Sequence, residues 1–253
     1  RTSIEDLRRL KAHTLAPELE EFLASSREMG TAVEKSYSLL TDADFENPII
    51  QGEGGEPVKI SAGRFIPLLE SQDAGVRREA FQAYYEQYKN TFASLYEGKA
   101  KSNFFYAKAR KYGSSMEAAV DANNVPKEVY YNLIEAVHEN MHYMHSYMSL
   151  RKKLLGVEEL HMYDVYVPMV PQETGEITYG QAQEEIAEAL QVLGDDYVRV
   201  LKEGFANRWI DKYENEGKRS GAYSAGCYLA HPYVLMNYQY NLDSEFTLAH
   251  EMG

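Results

Sequence analysis

The chain has 253 residues, 44% of them hydrophobic, which is enough for one large domain or two smaller ones with a real apolar core. A formal charge of −13, from 26 Lys and Arg against 39 Asp and Glu, argues against nucleic acid as a partner, because a phosphate backbone is held by a basic patch. No apolar run nears the roughly 18 residues that span a bilayer, and no charged stretch leads into an apolar one at the start, so neither a membrane span nor a signal peptide is expected.

In chain order, residues 1–40 read as helices. Ser3 with Asp6 fits a capping arrangement, Leu7 and Leu10 begin an apolar stripe, and a second segment opens near Pro17 with Leu19, Phe22 and Leu23. Pro48, Gly52, Gly54, Gly55 and Pro57, flanked by Ile49, Ile50, Val58 and Ile60, predict a β-hairpin. Asp73 to Tyr112 carries the strongest helical pattern. Phe81, Tyr84, Tyr85, Tyr88, Phe92 and Leu95 recur there at steps of three and four, Arg110 and Lys111 complement the helix dipole, and Gly113 stops the run. A second long helix is expected from Pro126 to Leu155, closed by Arg151, Lys152, Lys153 and Gly156. Residues 160–179, with Pro168, Pro171 and Gly175, read as extended chain holding a short strand or two. Helices are predicted over 180–193 and 195–213, divided by Gly194, then strands or ordered loops over 216–241 and a last helix from about Asp243. The fold class is mainly α with a small β element. Cys227, the one cysteine, excludes an internal disulfide and suits a reducing cytosol, so a cytoplasmic location is expected.

Histidines suggest metal chemistry in two places. The chain ends Phe246-Thr247-Leu248-Ala249-His250-Glu251-Met252-Gly253, the opening of a His-Glu-x-x-His helix that stops one residue before the second histidine would stand. In that motif two histidines at i and i+4 share a helix face and bind zinc, and the glutamate between them acts on water. A complete copy lies at His138-Glu139-Asn140-Met141-His142, with His145 three residues on. Against this second copy, Val137, Met141, Met144 and Met148 at helical steps form the face expected to be buried, which leaves the histidines on an adjoining sector. Pattern alone leaves both candidates open, and a non-catalytic helical scaffold remains the reading from another class.

The sequence around the terminal motif separates them. Residues 209–224, Trp-Ile-Asp-Lys-Tyr-Glu-Asn-Glu-Gly-Lys-Arg-Ser-Gly-Ala-Tyr-Ser, and the run from His231-Pro232-Tyr233 through Leu242-Asp243 into His250-Glu251 closely resemble oligoendopeptidase F, of the M3 family of zinc metallopeptidases. Leu160-His161-Met162-Tyr163-Asp164, Phe105-Tyr106-Ala107-Lys108-Ala109-Arg110 and Arg77-Arg78-Glu79-Ala80-Phe81 resemble it too, so the likeness covers essentially the whole chain. It implies a multi-helix oligopeptidase-type fold with an incomplete catalytic domain: residues 1–70 in a helical N-terminal domain, and 71–253 in the first portion of the catalytic domain, cut at the active-site helix. Arg1 in place of Met and the interrupted motif fit that expectation. The resemblance makes the 126–155 helix scaffold, which lowers the claim of His138, His142 and His145. It also implies Zn2+ as cofactor, His250 as one ligand, further ligands beyond Gly253, and Glu251 as general base on the activated water. Short peptides are the implied substrates, held by Gly221, Ala222, Tyr223, His231 and Tyr233. The stretch 221–228 is the candidate edge that pairs with the peptide backbone. Ala225, Cys227, Leu229 and Ala230 depart from the family's usual residues and flank that expected cleft. One imidazole and one carboxylate do not make a tight zinc site, so the 253-residue chain alone is expected to be inactive. The same expectation leaves Phe246 and Leu248 as uncovered apolar surface.

Overall fold

The computed structural model describes residues 2–88, 90–170 and 175–253. In chain order the elements are α1 (Thr2–Leu10), α2 (Pro17–Leu39), β1 (Ile49–Gln51), β2 (Pro57–Lys59), α3 (Ala62–Leu69), α4 (Ala74–Glu86), α5 (Asn90–Ala109), α6 (Ser115–Asp121), α7 (Lys127–Leu155), α8 (Tyr179–Ala189), α9 (Asp195–Ala206), β3 (Ile210–Asp211), β4 (Tyr223–Ala225), β5 (Tyr233–Leu235) and α10 (Leu242–Met252). The expected mainly helical class with a small β element is what the structure has. No helix among the described residues is long and apolar enough to cross a membrane.

The chain forms two compact units, one of residues 1–41 and 88–160, the other of 42–87 and 161–253. The first is built on the antiparallel pairing of α2 and α5, in which each step along α2 meets an equal step back along α5. Glu20 takes both arms of Arg110 (2.9 and 2.7 Å). The Tyr106 hydroxyl donates to the carbonyl of Ser26 at 3.0 Å. Gly30 lies against the Tyr106 ring, and Gly98 against Val33. Tyr37 meets Phe92 edge-on at the far end. Small residues let the two backbones approach while charged and phenolic groups fix the register.

The continuous helix expected over 73–112 is two helices, α4 and α5, and they belong to different units. α5 ends at Ala109 rather than near Gly113. Lys111, at φ +61°, takes the left-handed position, with Tyr112 N–H on the Ala107 carbonyl and Lys111 N–H on that of Lys108, the double bond that closes a helix before a reversed residue. α7 ends as its sequence predicts, at Gly156 with φ +67°. Its apolar face corrects the expectation of burial: Val137, Met141 and Met144 are exposed. Periodicity identified a face, but nothing among the described residues covers it.

The second unit has two cores. Ile50, Ile60, Phe65, Leu69, Val76 and Ala80 pack the hairpin β1–β2, which has the expected antiparallel pairing, onto α3 and α4. The 3₁₀ turn Met162–Asp164 closes this core. There Arg77 donates to Asp164 Oδ1 through Nε (3.1 Å) and Nη2 (2.7 Å), and through Nη1 to the carbonyls of Ser71 and Gln72. Asp164 Oδ2 accepts the backbone N–H of His161 at 2.9 Å. Both charges are buried and every arm is matched, which such a burial demands. No strand forms among the described residues of 160–179; the strand expected there is replaced by this turn, in which Asp164 is committed to Arg77 and to the His161 N–H. Residues 171–174, with Pro171, lie outside the described residues. The helix expected over 195–213 stops at Ala206, Arg208 turns to φ +63°, and Ile210–Asp211 becomes a strand.

Candidate active site

α10 carries the terminal His-Glu. Its cap is Asn241, whose side-chain oxygen accepts the N–H of Ser244 at 2.9 Å, so Asp243 lies inside the first turn rather than capping it. Asp243 and Glu245 there complement the positive end of the helix dipole. Leu248 is wholly buried among Ala182, Ile186, Val198, Leu201 and Met236. This overturns the expectation that Phe246 and Leu248 would both be surface: Phe246 is exposed and Leu248 is a centre of the core. The helix therefore has a fixed rotation. His250 is exposed in its last turn, Glu251 is half-buried beside it, and the Met252 carbonyl accepts the Tyr197 hydroxyl at 3.3 Å. α9 crosses closely at Gly204, where a Cβ would stand 2.8 Å from Trp209 and 2.9 Å from Met252.

A three-stranded sheet in the order β3–β5–β4 lies beside this helix, with β4 next to α10. β3 pairs parallel to β5, and β4 pairs antiparallel to it, with Tyr223 opposite Leu235, Ser224 opposite Val234 and Ala225 opposite Tyr233. Ile210 and Val234 bury one face, so the alternation of the strand puts Tyr223, Ala225, Tyr233 and Leu235 on the other. β4 is an edge strand with all three residues exposed. Asn237 holds the chain that leads into it, donating through Nδ2 to the carbonyls of Arg219 (3.0 Å) and Gly221 (2.8 Å). Gly221 has φ +86°, a conformation that favours glycine.

The structure thus brings five sequence candidates to this sheet. Tyr223 and Tyr233 share its open face. His231 lies tilted against Tyr233 (4.4 Å) and stacks flat on Trp209 at 4.9 Å, its Nδ1 donating to the Pro232 carbonyl at 2.7 Å. Gly221 supplies the bend, and Ala222 turns its methyl to the core. Asn237 and Trp209 escaped sequence reasoning as site-builders. The cap Asn241 was missed as well: the helix start was expected at Asp243, although Asn before an acidic first turn is a helix-start signal.

The electrostatics around α10 are acidic. Burial, then the neighbouring Glu185, which also hydrogen-bonds to it, raises the Glu245 carboxyl above its ordinary range. Burial, with Asp243 nearby, raises Glu70. The Tyr238 hydroxyl is pushed up to about 12 by burial and the adjoining Glu245. Among the described residues no three His, Cys, Asp or Glu side chains are placed to hold a metal. His250 is chemically suited to zinc as a single ligand. On α7, His138, His142 and His145 are all exposed, and His142 Nδ1 donates to the Glu139 carbonyl at 3.0 Å.

The family model described as Peptidase family M3 matches residues 67–253, and one described as Oligopeptidase F matches residues 1–46. Oligopeptidase PepF of Bacillus subtilis is 42% identical over 99% of this chain and 38% of its own length. Group B oligopeptidase PepB of Streptococcus agalactiae is 40% identical over 96% of this chain and 41% of its own. Oligoendopeptidase-F from Enterococcus faecium superposes with a TM-score of 0.64 at 38% identity, covering 83% of this chain and 40% of that one. PZ peptidase A, at 18% identity and a TM-score of 0.77 over 98% of this chain and 44% of that one, shares the fold. The chain spans about two fifths of the length of the curated relatives it matches.

Proposed function

The chain belongs to peptidase family M3, and from that premise we propose that the whole protein is a zinc-dependent endopeptidase that cleaves short peptides, with His250 and Glu251 in its catalytic centre. The observation that carries this reading is the position of the His250–Glu251 pair: in the last turn of a helix keyed into the core by Leu248, beside the free edge of β4. His250 would hold the ion through one ring nitrogen. The other protein ligands, a histidine directly after Gly253 and a glutamate further on, are proposed to come from sequence beyond these residues. Zinc, when bound, supplies Lewis-acid activation of water. Glu251 is the proposed general base. Its carboxylate takes a proton from the attacking water and delivers it to the departing amine, a role that in such sites contributes about 10²–10⁴-fold.

The peptide is proposed to lie along β4 as an added strand, its main chain pairing with Tyr223–Ala225. Tyr223 and Tyr233 flank it on the open face, His231 steadies Tyr233, and Gly221 and Ala222 shape the entry. Backbone pairing suits an enzyme of varied short peptides because it reads no side chain. The division into a helical N-terminal part (1–70) and a catalytic part (71–253) is likewise proposed, supported by separate family models over 1–46 and 67–253. Peptides rather than nucleic acid or membrane are the proposed partners, and the cytoplasm the proposed compartment.

The 253-residue chain alone is proposed to be inactive and to lack a tight zinc site. Calorimetric titration with zinc is expected to show no tight one-to-one uptake. A tight site abolished by His138→Ala or His142→Ala would transfer the metal to α7. One abolished by His250→Ala would contradict the need for further ligands.

A further inference from the structure

Between β4 and β5 the chain makes a turn whose composition is the reverse of what turns use. The Ala230 N–H donates to the Cys227 carbonyl at 3.1 Å, which leaves Tyr228 and Leu229 as its two central residues. Gly, Pro, Asn, Asp and Ser dominate such positions because they suit the backbone and the water around it. Here the two side chains are a phenol ring and a branched alkyl, 101% and 91% exposed.

The turn is nonetheless firmly held. At its base the chain passes close to Pro232, whose Cα would stand 3.4 Å from a Cβ placed on Gly226. The next residue, His231, stacks on Trp209 and donates to the Pro232 carbonyl. Trp209 itself packs against Gly204 of α9 and against the core. An apolar pair on an anchored support, rather than on a frayed loop, is presented to something.

What it is presented to follows from where β4 goes. Tyr228 and Leu229 stand three and four residues past the end of β4, the edge strand of the sheet, which contacts α10. A peptide added to that edge runs past the turn as it extends beyond Ala225. We infer that Tyr228 and Leu229 form an apolar side-chain subsite, which selects a hydrophobic residue in the part of the bound peptide lying beyond the Ala225 end of β4. The inference rests on the peptidase reading and adds to it. Main-chain pairing along β4 reads no side chain, so selection comes from side chains around it, and these two are the most exposed apolar pair at its Ala225 end.

The test uses the whole peptidase and a set of internally quenched peptides in which one position at a time is Leu or Ser. At one position the unmutated protein is expected to prefer Leu by about 10-fold or more in kcat/KM, the range that apolar contacts supply. Tyr228→Ser/Leu229→Ser should abolish that preference, bringing the Leu/Ser ratio of kcat/KM to about one. Leu229→Met should keep it. An unchanged Leu/Ser ratio in the double variant overturns the inference, as does a parallel fall on both peptides, which would make the turn a structural prop. A concentration-dependent dimer lost in the double variant, with peptide preference intact, would reassign the turn to contact between copies. If the unmutated protein hydrolyses no peptide, the peptidase reading falls and takes this inference with it; hydrolysis with an unchanged ratio sinks the inference alone.

Discussion

Glu245 shows how one side chain can set a pH dependence. It sits buried in the first turn of α10, facing Glu185 and the Tyr238 hydroxyl, and its carboxyl is raised from 4.5 by burial and by Glu185. A raised acid prefers its proton in the folded state, so its favourable contribution is complete below the unfolded value and is lost as pH climbs through the folded one. Glu245→Gln, which keeps the shape and removes the charge, is therefore expected to match the unmutated chain near pH 4 and to be the more stable of the two at pH 7. Thermal unfolding at the two pH values checks this; equal melting temperatures at pH 7 would contradict it. Neither Glu185 nor its meeting with Glu245 was legible in the sequence, since sixty residues separate them. The roles proposed for His250 and Glu251, by contrast, rest on adjacent residues in a motif, which is why sequence reading could propose them.

At the scale of elements, legibility followed locality. The hairpin β1–β2, the long α7 and its Gly156 stop were all read from neighbouring residues. The break between α4 and α5, and the strand at Ile210–Asp211, depend on packing partners far along the chain. Two such partnerships carry predictions. Arg77 and Asp164 join α4 to the 3₁₀ turn at 162–164, and Arg77→Met strands a buried carboxylate, so a loss of about 3–5 kcal/mol is expected. Arg77→Met/Asp164→Leu should recover much of it, and urea denaturation distinguishes the two. At Gly204, a methyl placed 2.8 Å from the Trp209 ring and 2.9 Å from Met252 forces α9 and the end of α10 apart. Gly204→Ala gains helix propensity of about 1 kcal/mol, while overpacking costs about 1–3 kcal/mol. The expected result is a net fall in melting temperature; a rise would show that the crossing has slack.

For the molecule as a whole, family and fold class were readable because they reside in long blocks of sequence, several of which meet in space: Arg77 with Asp164, and Trp209 with His231. Burial was not readable to the same degree. The stripe of Val137, Met141 and Met144 is as periodic as that of a buried helix, yet it is exposed in a chain about two fifths as long as its curated relatives. The proposed role of this chain is to supply a zinc ligand and the general base of a peptidase. It is tested most directly in the whole protein by measuring bound zinc and peptide hydrolysis together for Glu251→Gln and His250→Ala. Glu251→Gln is expected to keep one zinc per protein while kcat falls by about 10²-fold or more, and His250→Ala to lose both zinc and activity. Full activity in Glu251→Gln, or zinc retained undiminished in His250→Ala, would contradict it.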